Sequence, residues 1–133
     1  LSQYTSQIEN TRGAEVKTNF GAIRRLHAAY YLANGTRTGE TSTDIGIGSS
    51  AGQIPSSCTS TSYFRYTWGN SSMGDPVIYI DANRCTSGGK APSASTSYYW
   101  RYWINPGTGW EQWSCTVNGV AKWEYSERTL SCP

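Results

Sequence analysis

The sequence is poor in histidine and methionine, and its few charges are nearly balanced. It has one His, one Met, and 11 Lys and Arg against 9 Asp and Glu in 133 residues. Triad catalysis needs a nucleophile beside an oriented base, and the single histidine, His27, falls on the apolar side of a predicted helix. We therefore expect a structural role for His27 and no enzyme activity. The charge balance gives no electrostatic footprint for nucleic acid or an anionic membrane.

Long apolar runs and metal-binding motifs are also absent from the sequence. No stretch is apolar over the ~20 residues that a membrane span requires. The cysteines lack the short paired spacing of zinc sites. Carboxylates that could bind a cation do not follow the spacing of a calcium loop, and we interpret them as solvated turn residues: Glu40, Asp44, Asp75 and Asp81. The sequence therefore predicts neither a metal nor a cofactor.

Residues 1–34 form a predicted amphipathic helix. Apolar side chains and His27 recur there at three-and-four spacing, at Val16, Phe20, Ile23, Leu26, His27 and Tyr30. Glu9, Arg12 and Gly13 interrupt that stripe, so we expect the first three turns to leave the domain. A continuous helix of this length would extend ~50 Å, which is longer than the body of so small a domain.

The second half is rich in glycine and aromatic residues, which favours short strands joined by turns. Strand candidates are Tyr63–Trp68, Val77–Ile80, Tyr98–Ile104, Trp110–Val117 and Val120–Tyr125. Asn118-Gly119 is typical of a two-residue hairpin turn. We predict one α+β domain over residues 1–133, with a helix at 1–34, a connecting loop at 35–61, an antiparallel sheet at 62–125 and a tail at 126–133.

The aromatic strand candidate contains the candidate binding residues. In an extended strand, successive side chains point to opposite faces, so Tyr99, Arg101 and Trp103 share one face. Exposed aromatic rings beside an arginine can stack on sugars, on nucleobases or on a neighbouring subunit. The competing interpretation is that one face of this strand is core and the other is covered by a loop.

Four cysteines indicate two disulfides and an oxidising compartment, namely Cys58, Cys85, Cys115 and Cys132. Four cysteines permit three connectivities, and the sequence alone leaves the choice open. Cys58 and Cys85 become neighbours if the strands between them pair as an antiparallel hairpin, which is the pairing we prefer.

Two segments, Thr11–Ile23 and Ala28–Leu32, resemble the helix of bacterial type IV pilins. This resemblance covers about a quarter of the chain and implies the type IV pilin fold, a long helix on an antiparallel sheet of about four to five strands. It implies a variable loop at 36–57 and a cysteine-closed region near the C-terminus, which favours pairing Cys115 with Cys132. It also implies that a cleaved leader and an apolar helical segment would precede Leu1.

The functional expectation that follows is a structural subunit of an extracellular filament used for motility, adhesion or DNA uptake. Its partners would be identical subunits in a helical filament, the pilus assembly machinery and, before assembly, the inner membrane. A minor pilin or a type II secretion pseudopilin is an alternative, although the aromatic sheet departs from the calcium loop of a major pseudopilin. A secreted module that binds carbohydrate or DNA through exposed aromatic residues is the other alternative.

Overall fold

The computed structural model describes residues 3–124 and 132–133 and has an α+β architecture. The elements are α1 Gln3–Asn34, β1 Ile47–Gly48, β2 Ile54–Pro55, β3 Phe64–Asn70, β4 Ile78–Arg84, β5 Tyr98–Asn105, β6 Trp110–Val117 and β7 Val120–Glu124. The predicted α+β class is confirmed, with its N-terminal helix, its antiparallel sheet of five strands and its two disulfides.

The five longer strands form one antiparallel sheet in chain order, β3-β4-β5-β6-β7. The predicted hairpin between β6 and β7 is confirmed, with positive φ at Asn118 (52°) and Gly119 (79°). Strand β4 continues to Arg84, beyond the predicted Ile80, because pairing with β3 and β5 compensates for the low strand propensity of its later residues. The predicted end at Tyr125 and the tail residues 126–131 lie outside the described residues.

The core lies between α1 and the inner face of the sheet, and aromatic rings dominate it. Phe20 on α1 is fully buried. Its ring centroid lies 5.5 Å from Tyr102, 5.4 Å from Trp113 and 6.1 Å from Tyr66, each on a different strand. Phe20 therefore connects the helix to three strands of the sheet. The burial of aromatic rings contributes strongly to the stability of the fold.

The leading turns of the helix contact the sheet earlier than the sequence predicts. Glu9 is 2% exposed, and its carboxylate accepts hydrogen bonds from Arg84 Nε (2.7 Å), Tyr98 Oη (2.8 Å) and Arg12 Nη1 (2.6 Å). Burial alone would raise the pKa of Glu9, but the bonds from Arg84 and Tyr98, the charge of Arg84 and the bond from Arg12 together hold it below its usual value. The expectation that Glu9 breaks the buried stripe is wrong, because Arg84 pairs with it.

Gly13 also belongs to the buried side of α1. A Cβ built on Gly13 would lie 3.0 Å from Cζ2 of Trp100, so the missing side chain allows the indole to lie against the helix backbone. The prediction that Leu26 is buried is wrong, because its side chain is 42% exposed. Tyr4, in the first turns, is 74% exposed. The helix therefore packs on the sheet from Glu9 onwards, and only the turns before it extend beyond the packed region.

The connecting loop contributes to the core instead of only linking the helix to the sheet. Ile45 and Ile47 are buried and belong to the core cluster. Residues Ile47–Gly48 pair in parallel with Ile54–Pro55, so the predicted connecting loop at 35–61 contains a short two-stranded sheet. These two short strands were not predicted because the glycines around them weaken the strand pattern in the sequence.

Both preferred disulfide pairings are present. Cys58, before β3, is bonded to Cys85, directly after β4, as expected where β3 and β4 form an antiparallel pair. Cys115 on β6 is bonded to Cys132. The backbone N–H of Cys132 donates to Oδ1 of Asn10 (2.9 Å), so the described C-terminal residues are connected both to the sheet and to the helix.

Candidate functional site

The three candidate residues of β5 lie together on the face of the sheet that points away from α1. Along β5, buried and half-buried residues alternate without interruption. Tyr99, Arg101 and Trp103 are half-buried, as is Asn105 at the end of the strand, and the buried members between them contribute to the core. The strand periodicity therefore places all three side chains on one surface, but their common position does not by itself assign a ligand.

Arg101 is held at the middle of this surface by an ion pair. Asp81 lies directly opposite it on β4, and the guanidinium donates through Nε to Oδ1 (2.6 Å) and through Nη2 to Oδ2 (2.7 Å). This fork geometry is the strong form of the interaction. The hydrogen bonds to Asp81 raise the pKa of Arg101, despite an opposing effect of burial.

Aromatic rings surround the guanidinium of Arg101. Its central carbon lies 4.6 Å from the ring centroid of Tyr79 and 5.8 Å from the centroids of Tyr99 and Trp103. These distances fall within the range of cation–π attraction. Asp81 and the rings together therefore restrict the position of the arginine.

A second tryptophan extends the aromatic surface across β6. The Trp123 ring on β7 is stacked with that of Trp103, with centroids 5.2 Å apart and an interplanar angle of 23°. Ser114 lies between these strands, opposite both Arg101 and Trp123, and is buried. Trp123 itself is 54% exposed. We call the set formed by Tyr79, Tyr99, Arg101, Trp103 and Trp123 the outer platform.

Sequence reasoning missed two rings and the carboxylate of this surface. Tyr79 and Trp123 sit on predicted strands, but their position beside β5 depends on the registers of separate strand pairings, which the strand candidates alone do not fix. Asp81 was interpreted as a solvated turn carboxylate, one residue beyond the predicted end of the strand at Ile80. Its alternation with Tyr79 was the signal that could have placed it on the outer face.

A second polar cluster lies at the other end of the core, around His27. The ring is fully buried, with Nδ1 2.8 Å from both carboxylate oxygens of Glu40 and Nε2 2.9 Å from the carbonyl oxygen of Pro76. Both ring nitrogens therefore have a hydrogen-bond partner, as a buried imidazole requires. Glu40 is therefore a buried partner of His27, which corrects its interpretation as a solvated turn residue.

Asp75 connects the start of the loop to the β3–β4 connection. Its carboxylate accepts hydrogen bonds from the hydroxyl of Thr36 and, at 2.8 Å, from the backbone N–H of Arg37. These bonds lower the pKa of Asp75, the Thr36 bond most strongly. Arg37 in turn donates to the carbonyl oxygens of Ser71 and Val77. Asp75 thus links two loops.

Within residues 3–124 and 132–133, no group of three or more His, Cys, Asp or Glu side chains is placed to hold a metal ion. No helix in the same part of the chain is both long and apolar enough to cross a membrane. The chain matches no protein-family model, no curated protein and no solved structure.

Proposed function

We propose that this chain is the globular part of a type IV pilin-like subunit, a structural protein that polymerises into an extracellular filament. The observation that supports the proposal is that α1 is continuous. The two segments that resemble the pilin helix, Thr11–Ile23 and Ala28–Leu32, lie in one uninterrupted helix of 32 residues. That helix packs on an antiparallel sheet, which is the order of elements that the resemblance implies.

The leading end of α1 is suited to continue into a further helical segment. Packing on the sheet begins at Glu9, and Tyr4 before it is 74% exposed. In the proposed subunit an apolar segment would extend this helix, reside in the inner membrane before assembly and then pack among the helices of neighbouring subunits. Removing apolar area from water or lipid would stabilise the filament, and a non-closing contact between identical subunits would give it helical symmetry.

The two disulfides favour a location outside the cytosol. Bonded pairs such as Cys58–Cys85 and Cys115–Cys132 are typical of oxidising compartments outside the cytosol. We therefore propose an extracellular filament or the cell surface as the working location, with an inner-membrane pool before assembly. The assembly machinery and identical subunits would be the partners, and the mechanism requires no catalytic group.

Labelling of single cysteines in the full-length gene product tests this proposal. The disulfides use all four cysteines of the 133-residue chain, so within this chain a maleimide reagent would label only an introduced thiol. Tyr4→Cys should be labelled in the isolated 133-residue chain, which we expect to be monomeric, and protected in sedimented filaments because neighbouring helices cover it. Val120→Cys, at a position 70% exposed in the β6–β7 hairpin, is the control and should be labelled in both.

Two results would overturn the proposal. One is equal labelling of Tyr4→Cys in the isolated chain and in the sedimented material, which would show that the leading end of the helix is not an assembly contact. The other is a gene in which a conventional secretion signal, instead of a pilin leader and an apolar segment of about 20 residues, precedes the sequence of this chain.

A further inference from the structure

We infer that the outer platform is a binding site for a neutral saccharide chain. The inference depends on the sheet alone and stands whether or not the chain assembles into filaments. Aromatic residues are divided between the two faces of the sheet. The core cluster contains the inner rings, and none of the platform rings belongs to it. Burial in the core therefore does not explain why four aromatic side chains gather on the opposite face.

The platform is fixed before a ligand arrives. Asp81 binds Arg101 at two atoms, and the stacked rings of Trp103 and Trp123 support each other across β6. The side chains are therefore already ordered in the free protein. Preorganisation of this kind lowers the entropy that a ligand must lose on binding.

The exposed groups match the two kinds of surface that a pyranose presents. Sugar rings carry apolar C–H faces and hydroxyl groups around the rim. An apolar face can lie on the side of the half-exposed Trp123 ring that is not stacked on Trp103. A guanidinium has five N–H donors, of which two bind Asp81. The other three have no acceptor among residues 3–124 and 132–133, and they can donate to sugar hydroxyl oxygens. Ligand sites combine apolar walls with a few placed polar groups in the same way.

Charge argues for a neutral ligand over nucleic acid. The carboxylate of Asp81 neutralises Arg101 at the centre of the platform, whereas affinity for nucleic acid depends on uncompensated cations that bind phosphates. Arg65 on β3 is an exposed cation without an opposing carboxylate in the pairing register, and it lies opposite Asn83, away from the stacked tryptophans. Among the described residues of this outer face, one peripheral cation is a weak basis for binding a polyanion.

The polar residues between the rings argue against a second copy of the chain. Gln112 and Thr116 on β6 alternate with Ser114 on the outer face and lie opposite Trp103 and Tyr99. The surface is therefore not a continuous apolar patch of the kind that drives self-association. A saccharide can use both the rings and the intervening hydrogen-bonding groups.

The test is binding of the purified 133-residue chain to an array of neutral and acidic glycans, followed by titration of the tryptophan fluorescence with the neutral oligosaccharide that is retained best. Binding should be insensitive to salt between 50 and 500 mM, roughly the range over which phosphate contacts weaken strongly. Trp123→Ala should weaken the affinity about 10- to 100-fold, the effect of losing one stacking ring. Arg101→Gln should also weaken it.

Two comparisons separate a binding role from a folding role. Tyr4→Ala removes an exposed ring from the helix instead of the platform and should bind like the unmodified chain. Trp103→Ala should weaken binding without lowering the thermal midpoint by more than Trp123→Ala does. If Trp103→Ala unfolds the chain, the affinity of Trp123→Ala still tests the binding role. Trp123 is 54% exposed and lies on the last described strand, so its removal should leave the chain folded.

Three outcomes would overturn the inference. One is an array on which no neutral glycan is retained. Another is binding of a 12-residue oligothymidine that weakens as salt rises, which would assign the platform to single-stranded nucleic acid. The third is sedimentation as a dimer that Trp123→Ala dissociates, which would assign it to self-association.

Discussion

Arg84 on β4 and Glu9 on α1 form a buried ion pair between residues that are 75 positions apart in the chain. Their side chains are 0% and 3% exposed, and Nε donates to Oε1 at 2.7 Å. A buried charge without its partner is strongly destabilising. We expect this pair to oppose any sliding of the helix along the sheet, because a shifted helix would leave both charges buried and unpaired.

The first prediction concerns the loss of that charge. Glu9→Gln should lower the free energy of unfolding by about 3 kcal/mol, because it leaves the Arg84 guanidinium buried without a counter-charge. Denaturant titration followed by circular dichroism measures the change. Arg25→Gln, which removes a charge from an exposed position of the same helix, should change stability by less than about 0.5 kcal/mol. Equal effects of the two variants would show that the pair contributes nothing specific.

The second prediction is a pH dependence of the same pair. The pKa of Glu9 lies below its ordinary value of 4.5 in the folded chain, so the unfolded chain binds a proton at a higher pH than the folded chain. The stabilisation is therefore complete above pH 4.5 and is lost as the pH falls through the folded pKa. The stability difference between the unmodified chain and Glu9→Gln should shrink over that acidic range. A stability difference that does not change with pH would contradict the lowered pKa of Glu9 in the folded chain.

The third prediction compares two glycines of α1. Gly13→Ala places a Cβ 3.0 Å from the Trp100 ring, which is 1% exposed and has little room to move. Overpacking should outweigh the gain in helix propensity and destabilise the fold by about 1 to 3 kcal/mol. Gly21→Ala meets only Arg25 Nη1 at 3.7 Å and should stabilise it by about 0.5 to 1 kcal/mol. Thermal unfolding of both variants measures whether each change raises or lowers stability. A more stable Gly13→Ala would show that the Trp100 ring can move to accommodate the added methyl group.

The fourth prediction concerns the C-terminal disulfide. Cys132→Ser should lower the free energy of unfolding by about 3 kcal/mol, because the bond no longer restricts the unfolded chain. Amide hydrogen exchange should accelerate in β6, where Cys115 lies, and not in β3. Cys58→Ser is the matched control and should accelerate exchange in β3 and β4 instead. If both variants loosened the same strands, the disulfides would not act locally.

The fifth prediction is a coupling between His27 and Glu40. His27→Leu should destabilise the chain by about 3 to 5 kcal/mol, because it leaves the carboxylate of Glu40 buried and unpaired. Adding Glu40→Leu should recover a large part of the loss, since an apolar pair needs no counter-charge. A double-mutant cycle by denaturant titration gives the coupling energy. Additive effects would show that the 2.8 Å contact is not energetically significant.

Local patterns in the sequence predicted the elements of the fold well. The three-and-four spacing of Val16, Phe20 and Ile23 located the buried face of α1, and Asn118-Gly119 located the β6–β7 hairpin, because both signals depend on neighbours along the chain. The alternation in β5 likewise placed Tyr99, Arg101 and Trp103 on one face.

Features that depend on distant residues could not be predicted in the same way. Glu9 looks like a break in the apolar stripe until Arg84 is known to lie opposite it, and Glu40 looks solvent-exposed until His27 is known to contact it. Trp123 joins the outer platform only through the strand register. The separations are 13 positions for His27 and Glu40 and 75 for Glu9 and Arg84, beyond the reach of the local patterns that located the helix and the strands.

The order of the strands has a consequence for how the chain forms during synthesis. Every strand of the five-stranded sheet pairs with its neighbour in the sequence, so the sheet can grow hairpin by hairpin as the polypeptide emerges, a type of local contact that favours fast folding. The helix is made first, yet its partners Arg84 and Tyr98 follow 75 and 89 positions after Glu9. A nascent helix with Phe20 and Ile23 uncovered must therefore wait for most of the sheet, and this interval is when the unfinished chain is most exposed to misassociation.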